Sequence, residues 1–189
     1  MNLSMKPGDA TQGMSFELQP FLQGELVRLR PLVPEDFAAL YAVAADPLIR
    51  EQHPASDRYK EPVFKEFFRE GLASGGALLS IDTNTDQVIG SSRYHGYDAV
   101  RGEIEIGWTF LARSHWGSAY NGEMKRLMLG HAFQFVNAVV FLVGPQNLRS
   151  QRAIEKIGGV RIAPRRDGNG RVSVVYQITR SMFARGPLG

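Results

Sequence analysis

The sequence of 189 residues contains no cysteine, so the chain forms no disulfide and has no thiol nucleophile. It has no apolar run of about 20 residues, the length needed to cross a bilayer. Basic residues exceed acidic ones only by 22 to 19, too few to indicate a nucleic-acid-binding surface. Residues 1–23 also lack the pattern of a secretion signal. These absences favour a soluble, cytoplasmic protein, with neither a membrane nor a nucleic acid as its partner.

The rest of the composition is that of a globular protein, with 43% hydrophobic and 22% charged residues. A chain of this length fits one domain, and we find no internal repeat or interior linker that would divide it. The sequence predicts a flexible leader over residues 1–23, a single domain over 24–181 and a short tail over 182–189.

Hydrophobic periodicity and turn residues predict the element order β-α-α-β-β-β-α-β-α-β-β. The predicted strands are 25–30, 77–82, 87–97, 103–111, 139–143, 160–165 and 171–179. The predicted helices are 34–46, 62–73, 119–137 and 147–158. The strand over 139–143 is wholly apolar, so we expect it to be central and buried.

The segment over residues 112–121 joins a predicted strand to a predicted helix and has the features of an anion site. The first N–H groups of a helix have no partner within the helix, and the helix dipole is positive at that end. Gly117 and Ala119 lack bulk, so a phosphate can approach the backbone closely. This segment predicts a phosphate-bearing ligand, although small residues before a helix are common and are not specific alone.

A second segment, over residues 145–159, makes the assignment more specific. Together the two segments resemble the GNAT superfamily of acyl-CoA-dependent N-acyltransferases, and within it the branch that acetylates the N-termini of ribosomal proteins. The pyrophosphate loop of that superfamily reads roughly Q/R-x-x-G-x-G/A, and Ser114, Gly117 and Ala119 occupy the corresponding positions. The strand Ile-Glu-Ile-Gly-Trp over 104–108 and the run Asn-x-x-Ser followed by Glu-Lys-x-Gly over 147–158 are typical of the branch. The resemblance extends from about residue 25 to 179.

The resemblance implies an α/β fold with a mixed, largely antiparallel twisted sheet of about seven strands and about four flanking helices. The sheet of that fold splays between its fourth and fifth strands, here 103–111 and 139–143. It also implies acetyl-CoA as the acyl donor, no metal, and an acceptor that is a small-molecule or peptide amine. The amine would attack the donor directly in a ternary complex, with no covalent enzyme intermediate.

The residues that the resemblance assigns to the donor lie in the two segments and in the strand end before the first. Backbone N–H groups from Gly117 to Asn121 would bind the pyrophosphate, with Arg113 nearby for charge. The full set is Phe110, Leu111, Arg113, Trp116, Gly117, Ser118, Ala119, Tyr120, Asn121, Asn147, Ser150 and Arg152. Three members have simpler explanations: Trp116 as a packing residue, Asn147 as a helix cap, and Arg152 as a solvated helix residue.

Glu105 is the candidate general base, because the superfamily often places a glutamate in the strand before the phosphate loop. Its alternative is a solvated carboxylate on the polar face of the strand, and Glu103 is the second candidate for the base. Ser150 is the candidate acid, since a serine here lies near the CoA sulfur in the branch. Many relatives instead use a tyrosine at the position of Ile154. An ordinary first-turn serine is the alternative for Ser150.

The acceptor is the part that the sequence leaves open. By resemblance its walls are residues 51–61 and the basic turn over 165–171, which contains Arg165, Arg166 and Arg171. The sequence is compatible with a peptide N-terminus, a small amine or an antibiotic as the acceptor, and with a homodimer.

The four histidines are scattered and predict no metal site. A non-catalytic CoA-binding module and a nucleic-acid-binding domain are the alternative functions.

Overall fold

One eight-stranded sheet organises the molecule, in a computed structural model that describes residues 15–188. The strand order is β1-β2-β3-β4-β5-β6-β8-β7, and every pair is antiparallel except β5 and β6. The strands are β1 Leu22–Gln23, β2 Val27–Pro31, β3 Ala77–Asp82, β4 Val88–Asp98, β5 Glu103–Leu111, β6 Ala138–Val143, β7 Val160–Arg166 and β8 Val172–Thr179.

The helices are α1 Phe37–Ala44, α2 Glu61–Ala73, α3 Tyr120–Ala132, α4 Leu148–Lys156 and α5 Arg180–Arg185. The predicted α/β fold is confirmed, and the seven predicted strands correspond to β2–β8. The helix predicted over 119–137 is too long, because α3 ends at Ala132. The following residues turn inward instead, and the N–H of Asn137 donates to the carbonyl of Gly102 at 2.8 Å.

The sheet separates two apolar clusters. Met124, Met128 and Leu129 of α3 pack on one face with Ile104 and Ile106 of β5. On the other face, α1 and α2 bury an aromatic group over the sheet with Phe110, namely Phe64, Phe67 and Phe68 with their neighbours Phe37 and Tyr41. Each face of β5 therefore has a different environment, which matters for the side chains that alternate along it.

The predicted splay lies between β5 and β6. The two strands pair over three positions only, with Glu103 opposite Ala138 and Glu105 opposite Val140 at the ends of the paired stretch. Beyond this point β5 continues with β4, while β6 continues with β8 as far as Val143. The strands part after Glu105 and leave a V-shaped opening in the sheet.

A β-bulge reverses the side-chain alternation of β5 next to this opening. Trp108 has a φ of 52°, and the two residues Trp108 and Thr109 lie opposite the single residue Ser92 of β4. Because of the extra residue, Gly107 and Trp108 both face α1 and α2. A non-glycine residue with positive φ is uncommon and needs support from its surroundings.

That support comes from α3, behind the bulge. The buried Lys125 ammonium donates to Thr109 Oγ1 at 2.6 Å and to Ser92 Oγ at 3.2 Å, and the two hydroxyls are 2.7 Å apart. Burial lowers the pKa of Lys125 to about 7. Both strands at the bulge are therefore tied to α3 through one side chain.

The ends of the described chain pack on the domain. Phe16, from the predicted leader, is buried with its ring centroid 5.1 Å from that of Tyr94. His131 Nε2 lies 2.7 Å from the carbonyl oxygen of Glu17. At the other end Met182 and Phe183 of α5 contact the main core.

Residues 1–14 of the predicted leader lie outside the described residues. No helix within 15–188 has the length and apolarity to cross a bilayer.

Glu123 of α3 joins that helix to the start of β2. Its carboxylate accepts the N–H groups of Glu25 at 3.0 Å and of Leu26 and Val27 at 2.7 Å each. A Cβ on Gly24 would lie 2.6 Å from the carboxyl carbon, so glycine is what lets the chain approach so closely.

We predict that Glu123→Gln lowers the free energy of unfolding by about 1–3 kcal/mol, because hydrogen bonds to an ionised acceptor are stronger than those to an amide. Chemical denaturation at pH 7 measures this change. Glu66→Gln is the control, since Glu66 pairs only with Arg69 on an exposed helix surface. Equal effects of the two variants would show that the Glu123 contacts stabilise the fold no more than an exposed ion pair does.

Candidate functional site

The segment after β5 leaves a row of backbone donors at the start of α3. The chain forms a 3-10 turn over Arg113–His115 and enters α3 at Tyr120. Within residues 15–188, the five successive N–H groups from Gly117 to Asn121 have no backbone acceptor. Gly117 has a φ of 69°, and no atom lies within 4 Å of a Cβ built on it. The prediction of an anion site at this segment rests on these unpartnered donors and on the helix dipole.

Asp82, at the end of β3, holds this segment from behind. Its Oδ2 lies 3.3 Å from His115 Nε2 and accepts the Tyr120 hydroxyl at 3.1 Å. The two rings meet edge to face with centroids 4.6 Å apart. The Tyr120 hydroxyl is thus engaged within the protein, whereas its N–H has no backbone acceptor within residues 15–188.

The other residues predicted near the phosphates have mixed surroundings. Arg113 is ion-paired with Asp46, so part of its charge is already neutralised. The indole of Trp116 donates to the carbonyl of Leu111 at 3.0 Å, and the guanidinium of Arg149 lies 4.1 Å from the centre of its ring. Arg152 is exposed on α4, away from these contacts. Arg149 was not predicted, since a lone arginine in a first helical turn has no distinctive pattern.

The opposite wall of the opening is the turn from β6 into α4. The side chain of Asn147 is buried and caps α4 by accepting the N–H of Ser150 at 3.2 Å. The amide of Gln151, a residue that the sequence did not indicate, donates to the carbonyl of Pro145 at 2.9 Å and steadies this turn. Ile154 is buried in the main core. Ser150 is half-buried at the start of α4.

Glu105 lies on the α1 and α2 side of the sheet at the last paired position before β5 and β6 part. Burial raises the pKa of Glu105 to about 7, against a smaller lowering by Arg165 and with a further increase from Glu103. Glu103 is itself bound to Arg165, with Nη2 2.8 Å from Oε1. Of the two glutamates, Glu105 therefore has the more suitable environment for a base near neutral pH.

The predicted acceptor wall over residues 51–61 contacts the turn before α4. A Cβ on Gly144 would lie 2.7 Å from Pro54, and Gln52 accepts the N–H of Arg149 at 3.0 Å. A cleft of about 440 Å³ lies here, lined by Glu51, Gln52, His53, Pro54, Ser56, Pro145 and Gln146. A second cleft, of about 710 Å³, lies between α1 and the 112–115 segment, and neither Glu105 nor Ser150 lines it.

The histidines are distributed among different regions. His95 lies on β4 with its ring centroid 5.1 Å from that of Trp108, near the acceptor side. His53 lies in the smaller cleft, and His115 and His131 make the contacts described above. Within residues 15–188 no three histidine, aspartate or glutamate side chains are grouped to hold a metal ion.

A sheet that parts beside a bulged strand, with unpartnered N–H groups at the start of the next helix, suits an extended phosphate-bearing ligand. The model of the acetyltransferase (GNAT) domain matches residues 27–160. The chain belongs to this family and is an acetyl-CoA-dependent acetyltransferase.

Individual relatives agree with this assignment. The chain is 26% identical over 170 residues to an uncharacterized N-acetyltransferase, p20, of Bacillus licheniformis, covering 84% of this chain and 94% of the relative. A putative acetyltransferase from T. thermophilus is 29% identical, with a TM-score of 0.69 over 87% of this chain and 94% of that one. RimJ of Mycobacterium smegmatis, solved in complex with CoA-disulfide, shares the fold at 17% identity, with a TM-score of 0.65 over 86% of each chain.

We predict that Gly117→Val weakens CoA binding at least tenfold, because the side chain would occupy the space above the unpartnered N–H groups. Gly75→Val is the matched control: its φ of 60° is close to the 69° of Gly117, and it also has open space around a Cβ. Both variants suffer similar backbone strain, so thermal denaturation should show similar losses. Titration calorimetry with CoA should separate them, and equal CoA affinities would remove the phosphate-binding role from this loop.

The raised pKa of Glu105 also makes a prediction about stability. A carboxyl whose pKa is about 7 when folded and 4.5 ordinarily stabilises the fold below pH 4.5 and loses that effect as pH rises through 7. The effect of Glu105→Gln on the free energy of unfolding should therefore be more favourable at pH 8 than at pH 4.5. We expect the difference between the two pH values to be on the order of 1–3 kcal/mol. Denaturation curves at both pH values measure it. Glu103→Gln, which breaks an ion pair, should show no such gain.

Proposed function

We propose that this protein transfers an acetyl group from acetyl-CoA to a primary amine by direct attack within a ternary complex. The observation that carries the proposal is the position of Glu105. Its carboxylate lies where β5 and β6 part, on the acceptor side of an opening whose other end is the row of free N–H groups before α3. A base and a phosphate-binding loop thus belong to one opening.

On the donor side the chain offers backbone groups along the whole opening. The N–H groups of residues 117–121 would bind the pyrophosphate, and the Lys125 contacts behind the bulge keep the edge of β5 in place. Within residues 15–188 no strand pairs with β5 at Phe110 and Leu111 on the side facing the opening. Apart from the Leu111 carbonyl, which accepts the Trp116 indole N–H, this edge would pair with the amides of the pantetheine arm. When bound, the donor supplies an activated thioester.

Glu105 would take the proton from the ammonium form of the acceptor, directly or through water. A pKa of about 7 matches that task, because the carboxylate is then substantially ionised at neutral pH and still accepts a proton readily. Ser150, at the start of α4, would donate a hydrogen bond to the departing thiolate and relay to it the proton that the attacking nitrogen loses. Asn147 fixes the turn that presents Ser150. Ile154 supplies no hydroxyl for this step.

Thiol release from acetyl-CoA across a panel of primary amines tests the proposal. A ternary complex predicts intersecting lines when both substrates are varied, whereas a covalent acetyl-enzyme would give parallel lines. Tight binding of acetyl-CoA without acceptor-dependent thiol release across the panel would contradict the proposal and favour a binding module.

We predict that Glu105→Gln lowers kcat by about 100-fold and removes the rise in kcat/KM centred near pH 7, because the amide cannot accept a proton. The Kd for CoA should stay unchanged, since Glu105 lies on the acceptor side. Glu103→Gln is the comparison, as it alters the neighbouring carboxylate but leaves Glu105 in place. Loss of the pH-dependent rise in Glu103→Gln, with retention in Glu105→Gln, would assign the base to Glu103.

A further inference from the structure

Three arginines from separate parts of the chain surround one aromatic ring on the acceptor side. Arg50 ends the 3-10 turn after α1, Arg58 lies before α2, and Arg93 lies on β4. Their guanidinium carbons lie 5.4, 4.6 and 5.7 Å respectively from the ring centroid of Phe67. The positive groups of these three side chains therefore converge on a small region.

These arginines lack the partners that buried charges ordinarily have. Arg50 and Arg93 are only 4% and 5% exposed. Arg58 Nη1 and Arg93 Nε are buried and have no hydrogen-bond partner, and within residues 15–188 no carboxylate lies within 4.0 Å of the three guanidinium groups. Aromatic faces attract a guanidinium but cannot accept its in-plane N–H groups. Buried charges without acceptors are costly, so the arrangement points to an acceptor supplied from outside.

The charged groups around the cluster do not offset it. Glu70 of α2 and Asp57 are the acidic groups that favour the charged form of Arg58, while Arg149 and Arg171 add positive charge nearby. Burial, with the charges of Arg50 and Arg58 in addition, lowers the pKa of His53 to about 3, so this histidine is neutral at physiological pH. The region is thus strongly positive.

The cluster adjoins Glu105 on the same face of the sheet. Arg93 lies opposite Gly107 in the β4–β5 register, and its guanidinium carbon is 4.8 Å from the ring centroid of Trp108. Glu105 Oε1 lies 3.0 Å from the position of a Cβ on Gly107, so the carboxylate extends over that glycine. A small molecule can therefore present one group to Glu105 and another to the arginines.

We propose that the acceptor is a small amine that also carries an anionic oxygen acid, a carboxylate or a phosphate, bound by Arg50, Arg58 and Arg93 while its amine faces Glu105. This inference rests on the proposed function and names the substrate class of the same site. The fork-shaped guanidinium donors match either oxygen acid. Because Arg93 lies opposite Gly107, two residues along β5 from Glu105, we infer a short spacer between amine and acid.

Matched acceptors test the proposal. Glycine, β-alanine and 4-aminobutyrate are compared with their carboxamides, and aminomethylphosphonate represents the phosphate class. We expect kcat/KM for the best acid to exceed that for its carboxamide at least tenfold. The comparison of glycine with aminomethylphosphonate, which share a one-carbon spacer, distinguishes the two oxygen acids. Equal use of acids and carboxamides would overturn the proposal.

Variants then link the preference to the cluster. Arg58→Gln, at a half-buried position outside the sheet, should reduce the ratio of acid to carboxamide at least tenfold without changing the Kd for CoA. Arg93→Gln, within β4, should do the same. Arg101→Gln is the control, since Arg101 is exposed and, among the described residues, its one ion pair is with Asp98 at 3.5 Å. The assignment would be contradicted if the folded variants kept the acid-to-carboxamide ratio of kcat/KM. It would also be contradicted if they lost CoA affinity and kept this ratio.

A binding measurement separates this inference from the proposed function. Malonate and inorganic phosphate are titrated by calorimetry into the enzyme saturated with CoA. If either anion binds and Arg58→Gln weakens that binding at least tenfold, the anion site is supported. This result holds even if no amine in the panel releases thiol; in that case only the acetyl-transfer proposal fails. Absence of binding, or binding that neither Arg58→Gln nor Arg93→Gln weakens, would overturn the anion site.

Discussion

The parting of β5 from β6 is the feature on which the rest of the structure depends. Both strands satisfy one edge with an antiparallel neighbour, β4 or β8, and share only three positions with each other. Within residues 15–188, no strand pairs with the facing edges beyond Glu105. A sheet normally covers or pairs such edges, so a free edge in the middle of a sheet is a place for an extended ligand.

The bulge at Trp108 gives this opening two chemically different sides. Without the extra residue, Trp108 would follow Ile104 and Ile106 into the core with α3, because alternation is strict in a regular strand. With it, Glu105, Gly107, Trp108 and Phe110 all face the arginine-lined acceptor side. Lys125 contacts the bulge from behind, so one buried side chain of α3 stabilises the change in alternation that brings Trp108 and Phe110 to this face.

The local parts of this arrangement could be predicted from the sequence. Periodicity placed seven of the eight strands, and a phosphate loop could be proposed because Gly117 and the helix start are neighbours in the chain. The end of α3 was misplaced, since the apolar residues after Ala132 continue a helical pattern while tertiary contacts turn them inward. Glu105 could be proposed from its strand, but its raised pKa depends on burial and on Arg165 and Glu103, which only the fold brings together.

The acceptor side was the least predictable part because its residues come from distant segments. The sequence directed attention to the basic turn over 165–171, yet Arg165 is bound to Glu103 and Arg166 donates to the carbonyl of Gly170. The arginines with free donors, Arg58 and Arg93, are separated by a helix and a strand, and only the fold brings them to Phe67. No local pattern marks such a cluster.

The central claim is that one opening in the sheet joins a phosphate-binding helix start to a base. A crystal structure with bound CoA tests it most directly. The account predicts pyrophosphate oxygens within about 3 Å of the backbone nitrogens of residues 117–121, and the thiol between β5 and β6 on the side of Glu105. A pyrophosphate bound elsewhere, or a thiol on the α3 face of the sheet, would contradict it.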